Sequence, residues 1–220
     1  MSEAREAPLG LLGGTFDPIH HAHLRLALEA QQTLGLHTVR LIPAGQPKHR
    51  DTPGTSPEHR LAMARLAVAG VPQLEVDAAE VLSDAPSYTV PTLERLRADL
   101  GATRPLVLLM GVDAFQGLAR WHRWQALLDL AHIGVATRPG YTLGEATLEP
   151  ALAALLRRSR TDDAAALATT PAGMIIPFDI TALDISATAI RAQFARGASP
   201  RFLLPDAVVD YIDLHHLYQN

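Results

Sequence analysis

The sequence predicts an α/β fold: a Rossmann-like, doubly wound parallel sheet with a small helical appendage at its C-terminal end. The chain has 220 residues, enough for one substantial α/β domain and too few for two comfortable ones. Strand-like segments alternate with amphipathic helical segments, the order typical of parallel sheets. The most apolar strand, Pro105–Met110, is uninterrupted, as expected when helices cover both faces. We expect a single domain over 1–220, with a core at about 9–180 and C-terminal helices at about 181–220.

Hydrophobic periodicity and turn residues assign the individual elements. Predicted strands cover Leu9–Leu12, Thr38–Ile42, Leu74–Val76, Pro105–Met110, Ile133–Ala136 and Met174–Ile176. Predicted helices cover His21–Leu34, Glu58–Ala69, Pro91–Leu100, Gln125–Leu130, Leu148–Arg158, Ser186–Ala195 and Asp206–Leu214. Proline and glycine predict a long loop at Pro43–Pro57, and Gly111–Asp113 is expected to be a loop. Arg160–Gly173 is the segment expected to be disordered or variable.

Composition excludes several function classes. A formal net charge of −4 argues against a protein that coats nucleic acid or an acidic membrane surface. The absence of cysteine excludes disulfides, thiolate nucleophiles and cysteine-ligated zinc. Neither a signal-peptide pattern nor an apolar run of membrane-spanning length is visible. We therefore expect a cytoplasmic protein without nucleic-acid or membrane partners, and the sequence leaves a homo-oligomer open.

The stretch GGTFDPIHHAH, Gly13–His23, lies where the first strand runs into a helix. In open parallel sheets this first βα turn usually meets a phosphate. It is neither the GxGxxG dinucleotide motif nor a Walker A loop. His20 and His23 stand at i and i+3 in the first helical turn, where the dipole already favours an anion. A metal site is less favoured, because no third ligand is evident. The alternative is that these histidines only cap the turn.

Two motifs carry a family resemblance. GGTFDPIHHAH resembles the (T/S)FDPxHxGH signature of the nucleotidyltransferase superfamily related to class I aminoacyl-tRNA synthetases, and ISATAIR, Ile185–Arg191, resembles its ISSTxIR signature. The intervening stretches IPAGQPKHR, PSYTVPTL and MGVDAFQGLARWHRWQALL are similar to segments of bacterial nicotinate mononucleotide adenylyltransferases. The resemblance runs from Leu9 to about Tyr218. The departures from these signatures are Ala22 for glycine, Ala187 for serine, Lys48 and Arg50 for proline and lysine, and Pro91 for aspartate.

The resemblance implies transfer of AMP from ATP to nicotinate mononucleotide, with release of pyrophosphate. It implies that His20 and His23 face the ATP phosphates and that Arg191 stabilises the charge on the leaving pyrophosphate. These three are the predicted catalytic residues. The other predicted ATP contacts are Gly13, Gly14, Thr15, Phe16, Gly111, Asp113, Ser186 and Thr188. Mg²⁺ is expected to be bound through the phosphates, with no metal site on the protein.

The resemblance also implies an acceptor side. Trp121 would stack on the nicotinate ring, Tyr88 and Thr89 would meet its carboxylate, and the loop with Lys48, His49 and Arg50 would close over phosphate. Each has a structural alternative: Trp121 as a packing residue, Tyr88 as a filler at a strand edge, and the basic loop as a solvated segment. Two other functions stay open: transfer to another acceptor, such as nicotinamide mononucleotide or phosphopantetheine, and a nucleotide-binding regulatory module without turnover.

Overall fold

The computed structural model describes residues 6–47, 53–138, 140–141 and 143–219. The strands are β1 (Leu9–Gly14), β2 (Val39–Pro43), β3 (Gln46–Pro47), β4 (Leu74–Val76), β5 (Pro86–Ser87), β6 (Leu106–Gly111), β7 (His132–Thr137) and β8 (Ile175–Asp179). The helices are α1 (His21–Thr33), α2 (Pro57–Val68), α3 (Thr89–Leu100), α4 (Val112–Gln116), α5 (Leu127–Leu130), α6 (Pro150–Ser159), α7 (Ala187–Ala195) and α8 (Asp206–Leu214). Short 3₁₀ turns cover Leu118–Arg120, Trp124–Ala126, Glu145–Thr147 and Ala164–Ala168.

Six of these strands form one parallel sheet in the order β4-β2-β1-β6-β7-β8. The predicted fold class is confirmed. Every predicted strand and helix is present, within a few residues of its predicted ends. The short strands β3 and β5, which pair in parallel in a separate sheet, were not predicted. The strand order reverses between β1 and β6, and such a switch point leaves a crevice beyond the strand ends where ligands bind.

Alternation along the central strands divides the core between the two faces of the sheet. Leu11 of β1 and Leu108 of β6 belong to a cluster with α3, α5 and α6. The residues beside them in sequence, Leu12 and Leu109, belong to a cluster with α1, α2, α7 and α8. Successive strand side chains point to opposite faces, so both faces are covered, as the unbroken apolar strand predicted. Because α7 and α8 share a cluster with β1, we propose that core and C-terminal helices form one folding domain.

One sequence prediction is wrong, and a second is wrong as far as it predicts disorder. Gly111–Asp113 is not a loop, because β6 continues to Gly111 and α4 begins at Val112. Arg160–Gly173 is not disordered: it contains a 3₁₀ turn whose Leu167 is fully buried. The buried ring of His132 ties this segment to β7, with its Nε2 at 2.9 Å from the Thr170 carbonyl oxygen. Tertiary contacts thus order a stretch whose own composition is typical of a loop.

Within the described ranges, no helix has the length and apolar character needed to cross a membrane.

Candidate functional site

The predicted phosphate-binding turn lies at the switch point of the sheet. Gly14 ends β1 and pairs with Pro43 at the end of β2, while Gly111 ends the neighbouring β6. An added Cβ on Gly14 would lie 2.7 Å from the Phe16 ring, so only glycine fits there. Phe16 is buried and has a φ of 51°, in the left-handed region that non-glycine residues rarely adopt. The backbone of this turn is therefore closely constrained.

Of the three histidines in the first signature, His20 and His23 stack on each other at the start of α1. The rings of His20 and His23 lie 3.7 Å apart with an interplanar angle of 25°. The His20 backbone N–H donates to His23 Nδ1 at 3.3 Å, and the His23 ring meets Phe16 edge-on at 5.0 Å. The two imidazoles are thus held where the partial positive charge of the N-terminus of α1 lies.

His20 is buried in its own right, with a side chain that is 5% exposed. Burial, assisted by the nearby His21, lowers the pKa of His20 from its ordinary value of 6.5 to about 4. Its Nδ1 is buried and has no hydrogen-bond partner among the described residues. His20 is therefore neutral at physiological pH in the free protein. A neutral ring can donate a hydrogen bond to a phosphate oxygen, and an approaching polyanion would favour its protonated form.

The lowered pKa of His20 predicts a specific pH dependence of stability. As pH falls from 6.5 to about 4, the unfolded chain takes up a proton that the folded chain does not, so the folded state is progressively destabilised. Chemical unfolding at pH 7 and at pH 4 measures the free energy of unfolding of the wild type and of the His20→Gln variant. Between these two pH values the wild type should lose about 3 kcal/mol more than the variant. Equal losses in the two proteins would contradict the assignment.

Arg191 of α7 joins the second signature to the first. Its Nη1 donates to the main-chain oxygen of Asp17 at 2.7 Å and lies 3.7 Å from the Asp17 carboxylate. Thr188 Oγ1 stands 3.5 Å from Arg191 Nη2. Ser186, by contrast, caps α7, because its hydroxyl accepts a hydrogen bond from the Ala189 N–H. The structure thus brings Arg191 to the βα turn, places Thr188 beside Arg191, and shows that the Ser186 hydroxyl caps α7.

Arg60 of α2 is a site residue that the sequence analysis missed. It is fully buried, and its guanidinium donates to the main-chain oxygens of Thr15, Ala44 and Gly45 at 2.8, 2.5 and 3.0 Å. Thr15 belongs to the turn after β1, and the other two residues follow β2. Burial lowers the pKa of Arg60, although nearby acidic groups oppose this. One buried side chain therefore connects the turn after β1 with the segment after β2.

On the predicted acceptor side, the structure brings two of the matched segments together. Tyr88, the N-cap residue of α3, places its ring 4.6 Å from the ring of His122. Thr89 is the first residue of α3. Trp121 and Trp124 are both half-buried and pack against the cluster that includes α3. Packing against this cluster therefore accounts for the buried part of both tryptophan side chains.

Three of the remaining predicted site residues lie near the ends of β1 and β6, and three cannot be placed. Gly111 is the N-cap of α4, and exposed Asp113 lies in its first turn. Gly13 is exposed beside Gly14 near the end of β1. Lys48, His49 and Arg50 lie outside the described residues.

Glu80 is a half-buried carboxyl group that the sequence analysis missed. Its carboxylate accepts a hydrogen bond from Thr92 Oγ1 in α3, and burial raises its pKa. The main chain at Glu80 presses against Gly45, where an added Cβ would come within 2.1 Å of the Glu80 carbonyl oxygen. Gly45 is thus required by close backbone approach. These contacts fix the segment before Tyr88 against the loop that follows β2.

The described residues do not form a metal-binding site from their own side chains. None of their His, Asp and Glu side chains form a group of three or more that could hold a metal ion. The carboxylate nearest the turn, Asp17, already accepts hydrogen bonds from Gly54, Thr55 and Tyr218.

Comparison with known proteins gives a consistent picture. The model of the cytidylyltransferase-like family matches residues 11–193. A "probable nicotinate-nucleotide adenylyltransferase" of Dechloromonas aromatica (strain RCB) is 52% identical over 213 residues, which cover 97% of this chain and 98% of the relative. A protein of the same name from Acidithiobacillus ferrooxidans is 48% identical over 223 residues and the full length of both chains.

A solved structure, Plasmodium falciparum nicotinic acid mononucleotide adenylyltransferase complexed with NaAD, superimposes with a TM-score of 0.72. It covers 97% of this chain and 98% of its own at 16% identity. At that identity the match shows a shared fold.

Proposed function

Because the chain belongs to the cytidylyltransferase-like family, and within it to the nicotinate-nucleotide adenylyltransferases, we propose that it transfers AMP from ATP to nicotinate mononucleotide. The products are nicotinate adenine dinucleotide and pyrophosphate, as a step of NAD biosynthesis. The observation that carries this proposal is the contact of Arg191 with the main chain of Asp17, which unites both signatures beside the stacked histidines at the switch point.

The reaction is a direct transfer between two polyanions. A phosphate oxygen of nicotinate mononucleotide attacks the α-phosphorus of ATP, the new P–O bond forms, and the bond to the β-phosphate oxygen breaks, so that its electron pair leaves with pyrophosphate. The nucleophile is already an anion at neutral pH, since a phosphomonoester has its second pKa at about 6, and no general base is needed. The protein must therefore supply in-line positioning and positive electrostatic potential.

We assign the ATP side to the turn after β1 and to α7. His20 and His23 would donate to phosphate oxygens at the start of α1, where the helix dipole adds to the effect. Arg191 would neutralise the charge that develops on the leaving pyrophosphate. The other proposed contacts are Gly13, Gly14, Thr15, Phe16, Gly111, Asp113, Ser186 and Thr188.

We assign the acceptor side to α3 and the segment before α5. Trp121 would stack on the nicotinate ring, while Tyr88 and Thr89 at the start of α3 would meet the ring carboxylate. The contact between Tyr88 and His122 supports this, because it places the two segments side by side. Lys48, His49 and Arg50 would approach the phosphate from their loop. These contacts would separate nicotinate from nicotinamide.

We further propose that Mg²⁺ accompanies ATP and that the enzyme acts in the cytoplasm, without a nucleic-acid or membrane partner. When bound through the phosphates, Mg²⁺ would neutralise part of their charge. The formal net charge of the chain is −4. This supports a local site for phosphate rather than a general affinity of the surface for phosphate.

The decisive experiment is pyrophosphate release by the purified protein with ATP and Mg²⁺. Nicotinate mononucleotide, nicotinamide mononucleotide and phosphopantetheine are compared as acceptors. We expect rapid release with nicotinate mononucleotide alone. Release only with another acceptor would overturn the acceptor assignment and keep the ATP assignment. ATP binding without release for any acceptor would favour a regulatory nucleotide-binding module.

The stacking role of Trp121 can be separated from its packing role. In Trp121→Leu, loss of an aromatic contact worth about 1 kcal/mol should raise KM for nicotinate mononucleotide about fivefold and leave KM for ATP unchanged. Trp124→Leu is the matched control, because both tryptophans are half-buried and pack on the same cluster. If the control raises the same KM equally, Trp121 has only a packing role.

A further inference from the structure

The Asp17 side chain accepts hydrogen bonds from residues that are far from it in sequence. Its carboxylate is 5% exposed. Oδ2 accepts from the Gly54 N–H at 2.7 Å, and Oδ1 accepts from the hydroxyls of Thr55 and Tyr218 at 2.9 and 2.7 Å. A residue that only shaped its own turn would need local partners. Every one of these donors is at least 37 residues away along the chain.

The fourth group at this carboxylate is Arg191. The Cδ atom of Arg191 and the Oδ2 atom of Asp17 each lie 3.4 Å from the position that a Cβ on Gly54 would take. The Arg191 Nη1 contacts both the main-chain oxygen and the carboxylate of Asp17. The Arg191 side chain nevertheless stays one-third exposed, so a polyanion can still reach it.

We propose that Asp17 is a positioning residue of the transfer reaction, holding the Arg191 guanidinium in place through a carboxylate that Gly54, Thr55 and Tyr218 fix from the other sides. This rests on the proposed function, in which Arg191 neutralises the leaving pyrophosphate. A guanidinium works on a transition state only when its position is set before the reaction. The hydroxyl donors give the carboxylate that fixed position, and burial keeps water from competing for it.

Asp17→Asn tests the proposal with almost no change in shape. If the side-chain oxygen of Asn faces the Gly54 N–H and Arg191, its NH₂ group faces the Thr55 and Tyr218 hydroxyls, which can rotate to accept. The main-chain bond from Arg191 is kept. The variant thus removes the negative charge that holds the guanidinium and preserves the hydrogen-bond count.

The measurement is pyrophosphate release with ATP and nicotinate mononucleotide for four proteins: wild type, Asp17→Asn, Arg191→Ala and the double variant. We expect Asp17→Asn to lower kcat about 10- to 100-fold with little change in KM for ATP. In the Arg191→Ala background the same substitution should change kcat less than about twofold, because the group it positions is gone. Asp213→Asn, an exposed aspartate on α8, serves as the unchanged control.

Each other outcome has a defined meaning. Equal losses from Asp17→Asn in both backgrounds would overturn the proposal and leave Asp17 a structural residue. A lower unfolding midpoint with unchanged kcat for the folded fraction would overturn it as well. Tyr218→Phe and Thr55→Val each remove one donor, and the proposal expects a loss of kcat of a few-fold in both. Absence of turnover in the wild type would instead refute the proposed function.

Discussion

Arg60→Met is expected to lower the free energy of unfolding by about 3 kcal/mol and kcat by about 100-fold. The guanidinium of Arg60 is fully buried and donates to three main-chain oxygens in two loops. Methionine fills a similar volume and donates to none of them, so three main-chain carbonyl groups lose a hydrogen-bond donor. Denaturant unfolding measures the first effect, and pyrophosphate release by the folded variant measures the second.

The loss of activity follows from the position of Thr15. The Arg60 bond to the Thr15 oxygen is 2.8 Å long, and Thr15 lies directly between Gly14 and Phe16 in the predicted phosphate-binding turn. Releasing that carbonyl allows the turn to shift, and a displacement of about 1 Å at a reacting centre costs about 100-fold in rate.

Two further variants separate the planar fork of Arg60 from its charge. Arg60→Lys keeps the charge but concentrates it on one nitrogen, which cannot reach the same three oxygens in the geometry of the fork. We therefore expect it to resemble Arg60→Met. Arg65→Met, on the exposed side of α2, should behave as wild type. An active and stable Arg60→Met protein would show that the loops need no such anchor.

The sequence predicts the fold well because strand and helix periodicity is a local property. The strand Leu74–Val76 and the helix Asp206–Leu214 are observed with their predicted ends. The short helix α4 was missed because its N-cap is Gly111, a residue that reads as a turn, and because its five residues carry too little periodicity. The order of Arg160–Gly173 depends on His132, a residue of another element.

The candidate site divides in the same way. The motif residues His20, His23 and Arg191 could be predicted because each lies in a short signature whose characteristic residues are close together in sequence. The roles of Arg60 and Asp17 could not be predicted, although Asp17 lies within the first signature, because their partners come from segments that are distant in sequence. An arginine on an amphipathic helix ordinarily extends its charge to water, so the burial of Arg60 becomes visible only once both loops are folded around it.

His23→Ala is expected to lower kcat about 100- to 1,000-fold, the usual cost of removing one donor from a charge-stabilising site. The variant should still fold, because His23 lies in the first turn of α1 and the buried residues of that helix, Leu24, Ala27 and Ala30, are untouched. His37→Ala, an exposed histidine, is the control and should keep wild-type activity. Circular dichroism checks folding, and pyrophosphate release checks turnover.

The stacked pair adds a second expectation for the same variant. His23 covers one face of the His20 ring at 3.7 Å, and burial is the main cause of the lowered pKa of His20. In His23→Ala, water gains access to that face, so the pKa of His20 should rise from about 4 towards 6.5. An NMR titration of the His20 ring measures it directly. A folded variant that retains full turnover would remove His23 from the catalytic assignment. An unchanged His20 pKa would show that the stacked ring does not cause its desolvation.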